Sequence, residues 1–230
     1  MKIALATIRV PSVPLYDSVT KRWLRTYEQF KPSLPHDLIV VDDAVAAPPG
    51  DHGRHTDQFC LYTGGGWDCG IWQWLAKEVE ADLLVCCNTS TWYWKDGWLE
   101  RFAEEFSKCG DGIYGSMASF EIAPHMRTPV YVFPPHIMRD YPILCDSRPK
   151  TYTFECAGGK DTFTSYCIQR GLQTRLVTWD GCYTLPDWRK PENIFRRGDQ
   201  SNILVKDRHV DTYEASDEAG KQVLSRLADG

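Results

Sequence analysis

The sequence predicts an α/β protein with a mixed, mainly parallel sheet flanked by helices. Three observations carry this. The run Asp37-Leu38-Ile39-Val40-Val41 is apolar without alternation, as a strand covered on both faces must be, and it ends in Asp42-Asp43. A second such run, Ala81 to Cys87, ends in the polar string Asn88-Thr89-Ser90-Thr91. A stretch with helical spacing separates the N-terminal strand from the Asp37 strand, and a strand-helix-strand unit implies a parallel pair with a right-handed crossover. Open α/β sheets bind ligands outside the carboxyl ends of their strands, so the polar ends of the two runs mark the expected site.

The elements follow in order. Lys2 to Thr7 is a short apolar strand, and Pro11 and Pro14 mark a loop after it. Val19, Trp23, Tyr27 and Phe30 recur at helical spacing across Tyr16 to Phe30, and Pro32 and Pro35 stop that helix. Leu38 to Val41 is the second strand. Ala44 to Gln58 is polar and rich in Pro, Gly and His, and reads as a loop above the sheet edge. His52 and His55 lie in it without the carboxylate or Cys spacing of a metal site. Gly64-Gly65-Gly66 leads into a helix from Asp68 to Val79, and these glycines either admit a phosphate close to the backbone or form a plain tight turn.

After the Asn88 cluster an amphipathic helix runs from Gly97 to Cys109, with Gly110 suited to its end. Ile113 to Ala118 and Pro129 to Phe133 read as strands. Thr162 to Arg170 reads as a helix capped by Asp161 and stopped by Gly171, and Leu172 to Thr178 as the last clear strand. Arg189 to Tyr213 has no strong period, and Ser216 to Leu227 reads as a terminal helix. With no repeat or linker, the 230 residues are expected to form one domain: a nucleotide-sugar half over about 1–110, an acceptor half over about 111–215 and a C-terminal helix over about 216–228.

Composition narrows the function classes. The net charge of −5 counts against wholesale binding of a phosphate backbone. The nine Cys are odd in number and contain no C-x-x-C, which argues against a zinc ribbon and fits free thiols in a reducing compartment. Cys86 and Cys87, inside a strand, read as small hydrophobes. The N-terminus lacks the pattern of a signal peptide and no run reaches membrane-spanning length, so the expected location is cytoplasmic.

From about Lys2 to about Tyr213 the chain resembles glycosyltransferases with the GT-A (Rossmann-like) fold, close to the large inverting, family-two-like group of bacterial and phage enzymes. The stretch Leu38-Ile39-Val40-Val41-Asp42-Asp43 resembles that group's strand ending in Val-Asp-Asp, whose acidic residues hold the base and ribose. Thr7 and Arg9 match the end of the first strand beside the base. Gly64 to Gly70, with Gly65, Trp67 and Asp68, resembles the segment before the donor-side helix. Leu83 to Ser90 followed by Gly97-Trp98-Leu99 resembles the strand, metal motif and following helix. At that motif the group usually carries Asp-x-Asp, whereas this chain has Asn88-Thr89-Ser90. Mn²⁺ or Mg²⁺ bridging two phosphates prefers carboxylate oxygens. Either Asn88 and Ser90, with His209 as a third ligand, hold the cation weakly, or Arg196 and Arg197 neutralise the diphosphate. Arg196-Arg197 also reads as a solvated loop, and His209 as part of a surface ion-pair cluster.

The resemblance implies a nucleotide-sugar donor and transfer of one sugar to an acceptor hydroxyl. The acceptor is a glycan or lipid-linked glycan, with nucleic acid entering only as a modified DNA base. Asp161 matches the position of the base that deprotonates the acceptor, although it also reads as an N-cap. Glu155 is the second candidate, or a structural ion pair. His125 and Arg127 are candidates for holding the acceptor or the diphosphate. Trp67, Trp92, Trp94 and Trp98 are expected around the donor, with Trp98 the most core-like. Two rivals remain. One is a non-catalytic GT-A domain that binds a nucleotide sugar or glycan. The other is a sugar nucleotidyltransferase, against which Thr7-Ile8-Arg9-Val10-Pro11 lacks the glycines of an N-terminal phosphate loop.

Overall fold

A computed structural model describes residues 1–10, 14–43, 58–145 and 161–230. Its centre is an eight-stranded sheet. The strands are β1 (Ile3–Arg9), β2 (Asp37–Asp43), β3 (Gln58–Tyr62), β4 (Leu83–Cys87), β5 (Gly112–Gly115), β8 (Val130–Phe133), β9 (Gln173–Val177) and β10 (Cys182–Thr184). The two-residue strands β6 (Ala118–Ser119) and β7 (His125–Met126) form a separate hairpin. In space the order of the large sheet is β10-β9-β5-β8-β4-β1-β2-β3. Strands β3, β2, β1 and β4 are parallel neighbours, and only β8 and β10 run against the rest. The sheet is thus mixed and mainly parallel, a Rossmann-like arrangement.

The strands are apolar on both faces because helices cover both. Alternate residues sort cleanly, since successive side chains point to opposite sides of a strand. Ile3, Leu5, Leu38, Leu83, Val85 and Cys87 join an apolar cluster with Trp23 and Tyr27 of α1 (Pro14–Gln29) and Trp98, Leu99 and Phe102 of α3 (Trp98–Cys109). Ala4, Ala6, Ile8, Ile39, Val41, Leu84 and Cys86 join the opposite cluster. That cluster is completed by Ile71, Trp72 and Leu75 of α2 (Trp67–Glu78), Ile137 and Met138 of α4 (Pro135–Arg139), and Phe163 and Cys167 of α5 (Phe163–Gln169). Cys86 and Cys87 are fully buried in opposite clusters, and burial pushes the Cys87 thiol up to about 12. They serve as small apolar side chains.

The C-terminal third folds back over the carboxyl end of β4. Trp92 and Lys206 exchange backbone hydrogen bonds of 2.8 and 3.1 Å, and Arg22 of α1 grips Asp211 of α6 (Arg208–Ala215) at 2.5 and 3.1 Å. The last helix, α7 (Glu218–Asp229), is capped by Asp217. Among the described residues no helix is long and apolar enough to cross a membrane.

Several elements depart from the sequence expectation. Two strands were not expected: β3 covers the short apolar run Phe59-Cys60-Leu61-Tyr62 and β10 is three residues long, while helix α6 lies inside the stretch without a period. The cap of α5 is Thr162, whose side chain accepts from Ser165 N–H at 2.8 Å. Asp161 is exposed, and its backbone carbonyl accepts from the Tyr141 hydroxyl.

Candidate active site

A cavity of about 420 Å³ opens at the carboxyl ends of β1, β2 and β4. It is of the size that takes a small-molecule ligand. Adjacent residues at the ends of β1 and β2 divide between two tasks. Arg9 and Asp42 are paired in the strand register, and Arg9 donates through Nε and Nη2 to the two Asp42 oxygens at 2.6 and 2.9 Å. The Asp42 carboxylate is fully buried. This pair clasps the two strands on the α1/α3 side. One residue along, Ile8, Val10 and Asp43 take the other side of the sheet and line the cavity. Thr7 is buried in β1, and Thr7, Arg9 and Asp42 are all absent from the lining.

The glycines that precede and open α2 act in packing. The Tyr62 hydroxyl donates to Gly65 O at 2.7 Å, and a Cβ on Gly70 would come within 2.0 Å of that same oxygen. Gly65 therefore locks the loop against α2, which is the tight-turn alternative. Gly66 (φ 87°) and Trp67 (φ 54°) are both left-handed as α2 begins. A bulky residue in that region is strained. Trp67 and Asp68 line the cavity, and Trp67 is 38% exposed at its edge. Trp92, Trp94 and Trp98 do not line it. Trp94 Nε1 donates to Ile203 O, and Trp98, fully buried, donates to Phe30 O and stacks on Tyr93.

At the end of β4, Asn88, Thr89 and Ser90 line the cavity. The Asn88 side-chain oxygen accepts from its own turn, from Ser90 N–H (3.0 Å) and Ser90 Oγ (3.2 Å), and lies 3.0 Å from Thr91 Oγ1, whose single proton is shared with the nearer Pro129 O (2.7 Å). This is an Asx turn, a local use of Asn that competes with outward roles. The oxygen that would face a cation is spent on the chain, and the Ser90 hydroxyl donates towards it. Burial first, opposed by Asp207, and then the charges of the nearby Arg127, Arg208 and Arg196, hold the His209 imidazole below the usual range. A divalent cation is repelled from that end. Asn88, Ser90 and His209 therefore do not fit a bound Mn²⁺ or Mg²⁺. Among the described residues, the one cluster with metal-ligating spacing is Glu105, Cys109 and Cys182, none of which lines the cavity.

The opposite wall comes from the C-terminal half. Glu121, at the tip of the β6–β7 hairpin, and His125, Arg127 and Thr128 line one side. His125 is 5% exposed and Nδ1 contacts Ala123 O at 2.8 Å. Burial, and secondarily the Arg127 charge, lower its pKa to about 4 against the upward pull of Ala123 O, so it is neutral at pH 7. Arg196, Arg208 and His209 complete the wall. Asp207 caps α6, accepting from His209 N–H (3.0 Å) and Val210 N–H (3.3 Å), which turns Arg208 and His209 into the first helical turn beside the cavity.

The structure thus gathers Asp43, Trp67, Asp68, Asn88, Ser90, His125, Arg127 and His209 around one cavity. Of the arginine pair, Arg196 lines it, whereas Arg197 turns away to Asp229 (2.9 Å) and Arg189 O (2.7 Å). Asp161 is not in the lining. Glu155, His52 and His55 lie outside the described residues. Glu121 and Arg208 were not singled out from the sequence. Glu121 sits in a segment without a strong pattern, and Arg208 beside the His209 that drew attention.

No protein-family model matches the sequence, and a search of curated proteins finds no significant match. Solved structures that are similar over part of the chain include HddC and TarS. HddC from Yersinia pseudotuberculosis is 14% identical with a TM-score of 0.42, over 63% of this chain and 82% of HddC. S. aureus TarS is 12% identical with a TM-score of 0.41, over 62% of this chain and 30% of TarS. Both likenesses are too remote to carry a function.

Proposed function

We propose that the cavity binds a nucleotide sugar and that the protein transfers the sugar to an acceptor hydroxyl, as an inverting GT-A-type glycosyltransferase. The observation that supports this best is the polarity of the cavity. Carboxylates of the N-terminal half, Asp43 and Asp68, face arginines of the C-terminal half across one space at the carboxyl ends of the parallel strands. Carboxylates accept from ribose, base and sugar donors, while guanidinium groups suit phosphate. A ligand with a neutral, hydroxyl-rich part joined to an anionic part matches both walls. Trp67, at the edge, offers a ring face for the sugar or base.

In a single displacement the acceptor oxygen bonds to the anomeric carbon, the bond from that carbon to the phosphate oxygen breaks, and the acceptor proton passes to a carboxylate. Glu121 is the carboxylate of the acceptor half that lines the cavity, and we assign it this role ahead of Asp161, which is exposed and outside the lining. The acceptor class we favour is a glycan or lipid-linked glycan, in keeping with the net charge of −5. The Asx turn at Asn88 favours one rival, a domain that binds the donor without turning it over.

The test is a thermal-shift panel of nucleotide sugars, followed by a donor-hydrolysis assay. A ligand that binds only the folded state raises the melting temperature by mass action. A shift from one nucleotide sugar, with hydrolysis that Glu121→Gln abolishes, is the expected result. No shift from any nucleotide sugar overturns the proposal. Binding without turnover moves it to the non-catalytic rival, and loss of turnover in Asp161→Asn alone returns the base to Asp161.

A further inference from the structure

Arg196 is only 9% exposed, and its Nε and Nη1 atoms are buried with no hydrogen-bond partner among the described residues. The Nε of Arg127 is in the same condition. Both guanidinium carbons lie over the Phe195 ring, 4.6 Å away for Arg127 and 5.0 Å for Arg196. Each lowers the cost of neither the other's charge nor its lost hydration. Burial and the Arg127 charge together hold the Arg196 pKa below its ordinary value. Buried, unpaired charge is among the most destabilising features a fold can carry.

The chain nevertheless holds Arg196 firmly in place. Its backbone is left-handed (φ 56°), an unfavourable state for Arg. It is fastened on both sides: its N–H donates to Gln200 Oε1 at 3.0 Å and its carbonyl accepts from Ser225 Oγ at 2.7 Å. The nearby carboxylates do not quench it. Asp207 is committed to capping α6, and Glu121 lies close enough to favour the charged form without forming an ion pair. Its sequence neighbour Arg197, by contrast, is bonded at the surface to Arg189 O and to the Asp229 carboxylate.

We propose that Arg196 and Arg127, supported on Phe195 and joined by Arg208 and His209, form a metal-independent subsite for the diphosphate of the donor. The inference rests on the nucleotide-sugar reading of the same cavity. A diphosphate supplies acceptor oxygens for the orphaned N–H groups. Guanidinium forks bind such oxygens in pairs, with stronger hydrogen bonds than neutral donors make. As the bond to the anomeric carbon breaks, one further negative charge develops on the departing phosphate, and the fixed guanidinium groups are aimed where it appears. That is the service a cation performs at an Asp-x-Asp motif, which this chain replaces with an Asx turn.

Titration calorimetry with inorganic pyrophosphate and with UDP, GDP, CDP and dTDP, in EDTA and then in Mn²⁺, tests this on the full chain. Pyrophosphate and one of the nucleotides are expected to bind in EDTA. Arg196→Gln should weaken both by about tenfold or more, with Arg196→Lys recovering only part, since it restores charge without the fork. Arg208→Gln, at an exposed position where folding is not in question, should weaken pyrophosphate less. Arg197→Gln should bind as the parent does. Binding that appears only with Mn²⁺, or an Arg196→Gln protein that binds as the parent does, overturns the inference while leaving the donor reading intact. Pyrophosphate binding in EDTA that Arg196→Gln weakens, with no nucleotide sugar bound, keeps the anion subsite and removes the donor reading.

Discussion

Arg9 and Arg196 are both largely buried, and they sit on opposite sides of the fold's logic. Arg9 meets Asp42 with two hydrogen bonds, and the pair ties neighbouring strands. Arg196 meets an aromatic ring, and its buried Nε and Nη1 have no hydrogen-bond partner among the described residues. The difference separates a charge kept for stability from a charge kept for a ligand. The first is balanced within the chain and is costly to disturb. The second is unbalanced until something anionic arrives. Being buried and charged does not by itself say which; the inventory of partners does.

The largest expected effect breaks the balanced pair. Asp42→Ala leaves Arg9 without its carboxylate and should cost about 3–5 kcal/mol in urea denaturation. Arg196→Met, measured the same way without ligand, should be as stable as the parent or more so. A large loss in Arg196→Met would mean that the arginine is structural and would erase the contrast.

His125 extends the comparison to pH. Its pKa falls from 6.5 unfolded to about 4 folded, so between those values the unfolded chain binds more protons and stability rises with pH. The stability is complete above about pH 6.5 and is lost as pH falls towards 4, by about 3 kcal/mol for this shift. Denaturant midpoints measured across that window should fall for the parent and fall less for His125→Gln.

A smaller effect concerns Asn88. Asn88→Ala removes the acceptor of the Ser90 N–H and hydroxyl and should cost about 1–3 kcal/mol, whereas Asn88→Asp keeps the acceptor and should remain close to the parent in thermal denaturation. If Asn88→Ala is neutral, the turn is not what occupies this side chain. The smallest effect locates the cap of α5. Thr162→Ala should lose about 1 kcal/mol, and Asp161→Ala should stay within about 0.5 kcal/mol of the parent.

Much of the fold was legible. The runs at Leu38–Val41 and Leu83–Cys87 are local signals strong enough to mark buried strands, and the periodicity of Val19, Trp23 and Tyr27 marks α1. Strand β3 was missed because Gln58–Tyr62 is a short segment at the sheet edge, next to a polar loop-like stretch. The path from Asn193 to Asp207 was illegible because side chain-to-backbone bonds hold it, such as Asn202 Nδ2 to Glu192 O and Asn193 Oδ1 to Asp199 N–H. Such bonds leave no period.

By itself the sequence determined the parallel strands, the covering helices and the polar strand ends where a site belongs. These depend on side-chain period and on breakers, which act over a few residues. Only the tertiary structure decided how those polar residues divide their work. Asp42 and Asp43 are adjacent and chemically identical. The pleat sends one to Arg9, 33 positions away in the chain, and the other to the cavity. Arg196 and Arg197 are separated in the same way, by a carboxylate on the last helix that partners only one of them. A charged group's role is set by the partner it meets, and the meeting is made by the fold over distances along the chain that no local pattern records.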